Sequence, residues 1–193
     1  TGGGSGIGRA IAETLAAAGA SVAVADINDA TGEETVEHIV NAGGQPIFPR
    51  TDVTVRDEHN GLVTAAVAAF GGVDIQCNIA GIPSPASFLE LSLKEWELVM
   101  AVNLTGPFLL SQAFVPQMIE GGYGRVVNMS SVTAQHGGGV FSKTSYAAAK
   151  AGVLGLTRGM ARELAEHGIT VNAVAPGVVD TDIRVGSDDD TER

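Results

Sequence analysis

The alternation of two kinds of segment along the chain constrains its fold more than any other feature. Short runs rich in β-branched residues alternate with longer segments of helical periodicity, which predicts strand–helix–strand units and a parallel sheet. Several strand segments are apolar almost throughout, as expected when helices cover both faces. We predict strands at 21–25, 45–51, 73–79, 125–130 and 169–175, and helices at 8–18, 31–42, 56–70, 93–119 and 146–166. The expected fold class is α/β, a doubly wound parallel sheet in a single domain, 1–193.

Composition narrows the function classes. The 193 residues are 45% hydrophobic and 17% charged, an ordinary globular balance. The net charge of −11 argues against nucleic acid as a partner, because phosphates are neutralised by clustered Lys and Arg. No apolar stretch is expected to be long enough to span a bilayer and no basic leader is evident, so we predict a cytoplasmic protein without a membrane partner. One cysteine and four histidines without ligand spacing predict no metal site.

Both ends of the chain are expected to be incomplete. A doubly wound nucleotide-binding sheet needs a strand that leads into its first glycine loop, yet the chain begins at such a loop with Thr1. It stops at Arg193, directly after the polar run 187–192. The sequence does not distinguish a fragment from a chain whose mobile ends were left out.

The opening segment predicts a phosphate-binding loop. Residues 1–8 read Thr-Gly-Gly-Gly-Ser-Gly-Ile-Gly and pass directly into a helical pattern. Glycines at a strand-to-helix junction let the backbone approach a pyrophosphate, and the following helix presents free N–H groups and a positive dipole end. A glycine loop alone is a weak signal, and a plain flexible turn is the alternative.

Asp26 strengthens this interpretation. It ends the second predicted strand, about 20 residues past the glycine loop, where an acidic side chain accepts hydrogen bonds from the adenosine ribose. A carboxylate there would repel the 2′-phosphate of NADP, and no basic residue adjoins it, so the pattern favours NAD. The alternative is a turn or helix-capping role.

A tyrosine and a lysine four residues apart suggest acid–base chemistry. Tyr146 and Lys150 are separated by three alanines, which are strong helix formers, so both side chains project from one helical face. A free phenol has a pKa of about 10, and a nearby ammonium lowers it towards the range useful for a general base. Without other motifs, an amphipathic surface pair would be the simpler interpretation.

Taken together, these motifs resemble the short-chain dehydrogenase/reductase family over essentially the whole chain. The resemblance implies a Rossmann-like fold, the cofactor NAD and a catalytic set of Asn103, Ser131, Tyr146 and Lys150. It covers the family's Thr-Gly-x-x-x-Gly-x-Gly loop, its adenine-contacting Asp, its Asn-x-Ala-Gly segment and its Pro-Gly segment near the nicotinamide. The implied cofactor-binding residues are Gly2, Ser5, Gly6, Ile7, Gly8, Asp26, Asp52, Val53, Asn78, Ala80, Gly81, Tyr146, Lys150, Pro176, Gly177, Val179 and Thr181.

The resemblance also implies a mechanism. Ser131 orients the substrate oxygen, Tyr146 exchanges a proton with it, and Lys150 lowers the pKa of Tyr146 and holds the nicotinamide ribose. Pro107 has no N–H, so the usual helical bond to the carbonyl of Asn103 cannot form. We hypothesise that this free carbonyl holds a water in a proton relay from Lys150; a simple proline kink is the alternative.

Two features depart from the family pattern. The interval between Ser131 and Tyr146 is longer than usual and contains a glycine-rich insert, 135–141, which is expected to shape substrate choice. His136 within it is interpreted as a substrate contact or an exposed loop residue. Ser130 adjoins Ser131, but position in the motif favours Ser131 as the catalytic hydroxyl.

Several functions remain open from sequence. The first is an NAD-dependent enzyme acting on a small alcohol or carbonyl substrate such as a sugar or polyol; a 3-oxoacyl thioester is the alternative substrate. A non-catalytic dinucleotide-binding regulator is the alternative from another class, disfavoured by the intact catalytic set. The helices near Trp96 and Tyr146 resemble those through which family members assemble, which predicts a homo-oligomer, either dimer or tetramer.

Overall fold

The computed structural model describes residues 1–139 and 142–181. Its helices are α1 Gly6–Ala17, α2 Asp29–Asn41, α3 Arg56–Phe70, α4 Leu93–Met100, α5 Gly106–Gly121, α6 Thr133–His136 and α7 Thr144–Leu164. Its strands are β1 Val22–Ala23, β2 Pro46–Ile47, β3 Ile75–Asn78, β4 Gly124–Met129 and β5 Ile169–Val174. A π-helical turn, Ala101–Thr105, joins α4 to α5, and a 3₁₀ turn, Ala165–His167, follows α7.

All strand pairs in the described chain are parallel. β1 pairs with β2, while β4 lies between β3 and β5, with Asn78 opposite Asn128 and Gly124 opposite Ile169. Parallel neighbours need crossover connections, and helices supply them here. The predicted α/β class with a parallel sheet is therefore confirmed.

Two consecutive residues show that helices cover both faces. Val24 packs in a core with Ala12 of α1 and Ile39 of α2, whereas Ala25 packs with Leu62 of α3 and Phe114 of α5. Successive side chains of an extended segment point to opposite faces. The segment after β1 is thus buried from both sides, as its uninterrupted apolar character predicts.

The glycine loop runs between the two groups of strands. The Thr1 backbone nitrogen donates to the Cys77 carbonyl of β3, and the Gly3 N–H donates to the Ala25 carbonyl just after β1. A cavity of about 600 Å³, lined largely by apolar side chains such as Ile75 and Phe114, extends from this point between β1 and β3.

Buried amides connect the sheet to the helices that carry the site. The Asn78 side chain donates to Asn128 at 2.8 Å and to Ser111 of α5 at 3.3 Å. Asn128 in turn donates to Thr157 of α7 at 3.0 Å. Because buried polar groups are costly when unpaired, this ladder allows only one relative placement of the sheet, α5 and α7.

The longest apolar segment differs from expectation. By length and composition alone, Leu93–Gly121 could cross a membrane, so the prediction that no stretch is long enough was wrong. The segment is also interrupted by the π-helical turn instead of forming one regular helix. Its buried residues pack within the fold, Leu110 and Phe114 in the core and Asn103 and Ser111 with polar partners. This burial is typical of a core helix.

Candidate active site

The glycine loop places the start of α1 next to β3. Gly2 has φ +65°, and a Cβ there would lie 2.8 Å from Ala80, while a Cβ on Gly8 would overlap the Gly2 carbonyl. Ser5 is the N-cap of α1, but its side chain makes no capping bond in the described chain. The first-turn N–H groups, including those of Ile7 and Gly8, are therefore available to an anion.

Asp26 lies at the edge of this loop. Its carboxylate accepts hydrogen bonds from the Gly4 N–H at 2.9 Å and from the Asn28 N–H at 3.0 Å. A Cβ on Gly4 would lie 2.6 Å from the Thr31 hydroxyl and 2.9 Å from the Asp26 carboxylate. The structure thus brings Asp26 and the glycine loop together, and only a glycine fits at position 4 without displacing its neighbours.

Arg9 supports the loop from α1, a role that the sequence analysis missed. Its guanidinium donates to the Gly4 carbonyl at 2.7 and 3.1 Å and to the Thr35 hydroxyl at 3.0 Å. It also pairs with Glu34 at 2.6 Å, and this hydrogen bond holds the pKa of the Glu34 carboxyl below its usual value. The sequence signal that could have identified this role is the basic residue directly after the last glycine of the loop.

Asp52 is engaged in a local turn. Its carboxylate accepts from the Thr54 N–H at 2.8 Å and from the Thr54 hydroxyl at 2.7 Å. The following Val53 is buried, and its carbonyl lies 3.0 Å from Nε2 of the buried His59. Sequence analysis missed His59, which holds the backbone beside the expected adenine contact.

Residues of the Asn-x-Ala-Gly segment have two different roles: one supports the sheet, and the others lie at the candidate active site. Asn78 is buried in the amide ladder and so supports the sheet, whereas the Ala80 N–H lies 3.4 Å from the Thr1 hydroxyl of the glycine loop. Gly81 faces the catalytic residues, since a Cβ there would lie 2.7 Å from Oδ1 of Asn103 and 3.4 Å from Nζ of Lys150.

Helix α7 presents Tyr146 and Lys150 to the same space. Nζ of Lys150 lies 5.4 Å from the centre of the Tyr146 ring and donates to the Met129 carbonyl at 2.8 Å. That carbonyl is its only partner in the described parts of the chain, so further N–H donors remain for a ligand. The Ser131 hydroxyl forms hydrogen bonds with the hydroxyl and the N–H of Thr133, at the start of α6. Ser131 also lies close enough to Tyr146 to affect the pKa of its phenol.

The titration of the pair differs from expectation. Burial raises the pKa of Tyr146 above its usual value, and a hydrogen bond with Ser131 opposes this only partly. Burial also lowers the pKa of Lys150 to about 8. The expectation that Lys150 lowers the pKa of Tyr146 was wrong for this state, because desolvation is the dominant cause for both groups.

The depressed pKa of Lys150 predicts a pH-dependent contribution to stability. The folded pKa of about 8 lies below the ordinary lysine value of 10.5, so the unfolded chain binds more protons between these values and stability rises with pH. We expect the free energy of unfolding of the wild type, relative to Lys150→Met, to increase by on the order of 3 kcal/mol across that window. Urea unfolding of both proteins without cofactor measures it, and a constant difference would contradict the burial of a titrating ammonium.

Asn103 lies in the π-helical turn. Its side-chain amide donates to the Val99 carbonyl at 3.0 Å and to the Ile82 carbonyl at 3.1 Å. The buried Oδ1 has no partner among the described residues. The Gly106 N–H donates to the carbonyl of Ala101, five residues earlier, as in a π-helix. Gly106 directly precedes Pro107. The proline is therefore accommodated by a π-helical turn, which often marks functional sites, and the relay through the Asn103 carbonyl stays a prediction.

The Pro-Gly segment lies opposite the glycine loop. The Pro176 carbonyl accepts from the Val132 N–H at 3.1 Å, and a Cβ on Gly6 would lie 3.2 Å from the Thr181 side chain. Gly177 and Val179 are exposed between them. Residues 182–193, which follow Thr181, lie outside the described chain.

One short helix that the sequence did not predict, α6, overlaps the start of the glycine-rich insert. α6 ends at Gly137, which is left-handed, and His136 is exposed. Gly139 N–H donates to the Ser142 carbonyl at 2.8 Å. Residues 140 and 141 lie outside the described chain, so the contribution of the insert to substrate choice stays a prediction.

Comparisons with a family model and with individual proteins point to the same family. The model of the short chain dehydrogenase family matches residues 1–192. An uncharacterised short-chain type dehydrogenase/reductase of Sinorhizobium fredii is 46% identical over 92% of this chain and 71% of its own length. A 2,5-dichloro-2,5-cyclohexadiene-1,4-diol dehydrogenase of Sphingobium indicum is 45% identical over 94% of this chain and 71% of its own. A 3-oxoacyl-[acyl-carrier-protein] reductase of Synechocystis is 39% identical over 95% and 74%.

Proposed function

The chain belongs to the short-chain dehydrogenase family, and we propose that it transfers a hydride between NAD(H) and the CH–OH or C=O group of a small substrate. The observation that carries this proposal is the grouping of Tyr146, Lys150 and Ser131 at the carboxyl ends of the parallel strands. Members of the family typically bind a nicotinamide cofactor. Tyr146 acts as the general acid or base.

The residues of the glycine loop fit a dinucleotide. The uncapped first turn of α1 offers N–H donors to a pyrophosphate, and Gly2 and Gly8 leave no side chain in the way. Asp26 supplies a carboxylate at the edge of the loop. At the other end, Oδ1 of Asn103, which has no partner in the described part of the chain, and the spare donors of Lys150 face a common space beside Gly81. When bound, the nicotinamide supplies or accepts the hydride.

Tyr146 is suited to donating a proton. Its raised pKa keeps the phenol protonated at neutral pH, the form needed when a carbonyl is reduced. Ser131, which lies near the phenol and partly opposes the rise of its pKa, orients the substrate oxygen towards it. In oxidation Tyr146 must first give up its own proton, and the phenolate then accepts the proton of the alcohol, so both directions use the same residues.

Lys150 replenishes the proton of Tyr146. With a pKa of about 8 it exchanges protons readily near neutral pH, and its position one turn after Tyr146 keeps it beside the phenol. The free carbonyl of Asn103, which Pro107 cannot bond, provides a place for the water that connects Lys150 to solvent.

The choice of NAD over NADP follows from the carboxylate of Asp26. We expect the wild type to turn over NADH in preference to NADPH, and Asp26→Asn to narrow that preference by about tenfold or more, because the negative charge facing the 2′-phosphate is removed. The ratio of kcat/KM for the two cofactors measures it. The control is Asp29→Asn, which removes an exposed carboxylate three residues away and should leave the ratio unchanged. A wild-type preference for NADPH would overturn the role of Asp26.

A small hydroxy compound is the proposed substrate class. The relative from Sphingobium indicum, named as a diol dehydrogenase, supports it. The alternative is a 3-oxoacyl thioester, supported by the relative named as a 3-oxoacyl-[acyl-carrier-protein] reductase. Turnover of cyclic diols and polyols against 3-oxoacyl thioesters, with the same cofactor and enzyme concentration, separates the two.

We further propose that the enzyme is a homo-oligomer. Leu93 and Leu98 of α4 and Phe108 of α5 are exposed apolar side chains on neighbouring helices. On α7, no atom of residues 1–139 or 142–181 lies within 4 Å of a Cβ added at Gly155 or Gly159, so another helix can approach closely. Sedimentation velocity should therefore show dimers or tetramers at micromolar concentration, and a profile of monomer alone would contradict this proposal.

A further inference from the structure

A chain of buried hydrogen bonds ends one residue before Tyr146. The Ser145 hydroxyl donates to the Ser84 hydroxyl at 2.6 Å, and Ser84 donates to Oε1 of Glu95 at 2.9 Å. Both serines are completely buried. The three residues come from the start of α7, the loop after β3 and the first turn of α4, so the chain connects segments that are far apart in sequence.

Glu95 is diverted from its ordinary local role. Ser92 and Glu95 have the spacing of a capping box, in which the serine accepts from the N3 backbone and the glutamate reaches back to the N-cap N–H. The first half is formed, since the Glu95 N–H donates to Ser92 at 3.1 Å. The carboxylate, however, receives the Ser84 hydroxyl instead. The Glu95 carboxylate thus accepts a charge-assisted hydrogen bond from the buried Ser84.

The same serine also holds the loop beside α7 through its backbone. The Ser84 carbonyl accepts from the Lys143 N–H at 2.9 Å, and Ser84 forms a parallel bridge with Ser142. These contacts join the loop after β3 to the segment that leads into α7.

The first turn of α7 needs such support. Its N-cap, Lys143, makes no side-chain capping bond in the described chain, yet this turn carries Tyr146. Unsupported first turns fray readily, because their N–H groups lack helical partners. Since Ser145 is inside this turn, its bond to Ser84 holds the turn in place of a cap.

We propose that Ser84 and Glu95 are positioning residues, which hold the first turn of α7 through Ser145 and so set the position of the Tyr146 hydroxyl against the substrate. The inference rests on the proposed function. Displacing a reacting group by 1 Å costs about 100-fold in rate. Loss of the hydrogen bonds that connect Ser145, Ser84 and Glu95 should therefore lower kcat. The glycine loop and Asp26, which are proposed to bind the cofactor, should stay unchanged.

The decisive comparison uses Glu95, which is only partly buried and therefore tolerates substitution. Glu95→Leu removes the acceptor, whereas Glu95→Gln keeps an oxygen at Oε1 and should rescue function. Glu97→Leu makes the same substitution at an exposed position on the same helix. We expect kcat to fall about tenfold or more in Glu95→Leu and Ser84→Ala, with KM for NADH within about twofold. Glu97→Leu should match the wild type.

A second measurement does not depend on turnover. The chain has two tyrosines, so in a Tyr123→Phe background the phenolate absorbance reports Tyr146 alone. Releasing the first turn admits water, and the raised pKa of Tyr146 should then fall back towards its ordinary value in Glu95→Leu. It should not change in Glu95→Gln or Glu97→Leu.

The two measurements separate the possible failures. If no substrate is turned over but the Tyr146 titration shifts as expected, the positioning role stands and the proposed function is wrong. An unchanged titration together with an unchanged kcat in folded Glu95→Leu and Ser84→Ala would overturn the positioning role, whatever the substrate. An equal loss in Glu95→Leu and Glu95→Gln would also overturn it, because the acceptor oxygen would then be irrelevant.

Discussion

Tyr146→Phe is expected to lower kcat by about 10²- to 10⁴-fold, the usual contribution of a general acid or base. The substitution removes only the hydroxyl, so the ring should keep its place against Lys150 and the helix should remain folded. Binding of NADH should weaken by less than about tenfold, since at most one hydrogen bond is lost. Steady-state kinetics and fluorescence titration with NADH measure the two effects.

Tyr123→Phe is the matched control for this prediction. Tyr123 precedes β4 and its side chain stacks on Arg125 at the surface, 4.2 Å from the guanidinium carbon to the ring centre. Its loss should leave kcat unchanged. A Tyr146→Phe enzyme with near wild-type turnover would exclude the phenol as the proton donor and would make the Tyr146–Lys150 pair structural.

Gly8→Ala has the second largest expected effect. An added Cβ would overlap the Gly2 carbonyl oxygen and lie 2.6 Å from the Gly2 carbonyl carbon, and backbone atoms cannot yield as a flexible side chain does. The loop must then retreat from the start of α1, which separates the N–H groups that would hold the pyrophosphate. We expect the Kd for NADH to rise by about 100-fold or more, equivalent to about 2.7 kcal/mol.

Gly61→Ala on α3 provides the comparison. No atom of the described residues lies within 4 Å of a Cβ added there, so only the helix propensity changes, and we expect a gain in stability of up to about 1 kcal/mol with unaltered NADH binding. Calorimetric titration with NADH measures both variants. Equal affinity in Gly8→Ala and the wild type would mean that the close approach of the loop to α1 is not needed for the cofactor.

The fold was largely predictable because burial on both faces leaves a direct record in the sequence. The helix 56–70 was predicted with its observed bounds, since a left-handed glycine, Gly71, ends it. Strands are shorter than predicted where partners are few: β1 and β2 pair only with each other in the described chain, so their ladder is two residues long. The π-helical turn was not predicted, because its bonds depend on how the chain packs around Pro107 and Asn103.

In the candidate site, too, features set by local sequence were predictable and features set by long-range contacts were not. Local spacing was enough to predict the glycine loop and the shared face of Tyr146 and Lys150. Arg9, His59 and the Ser84–Glu95 pair were missed, because their roles consist of contacts with residues that no local pattern connects to them, such as Arg9 with Thr35 and Ser84 with Ser145. The titration of Tyr146 was misjudged for a related reason: burial depends on the whole fold, and here it is the largest cause of the raised pKa of Tyr146.

The central claim, direct hydride transfer between NAD and the carbon of a small carbonyl or alcohol, is tested most directly by isotope transfer. The purified enzyme would be given NADH carrying deuterium at both C4 positions, together with a carbonyl substrate that it turns over, and the alcohol product would be analysed by mass spectrometry. We predict one deuterium at the carbinol carbon of the product in the wild type, and no product above background in Tyr146→Phe. An alcohol without deuterium, or no oxidation of NADH with any carbonyl substrate of either proposed class, would contradict the account.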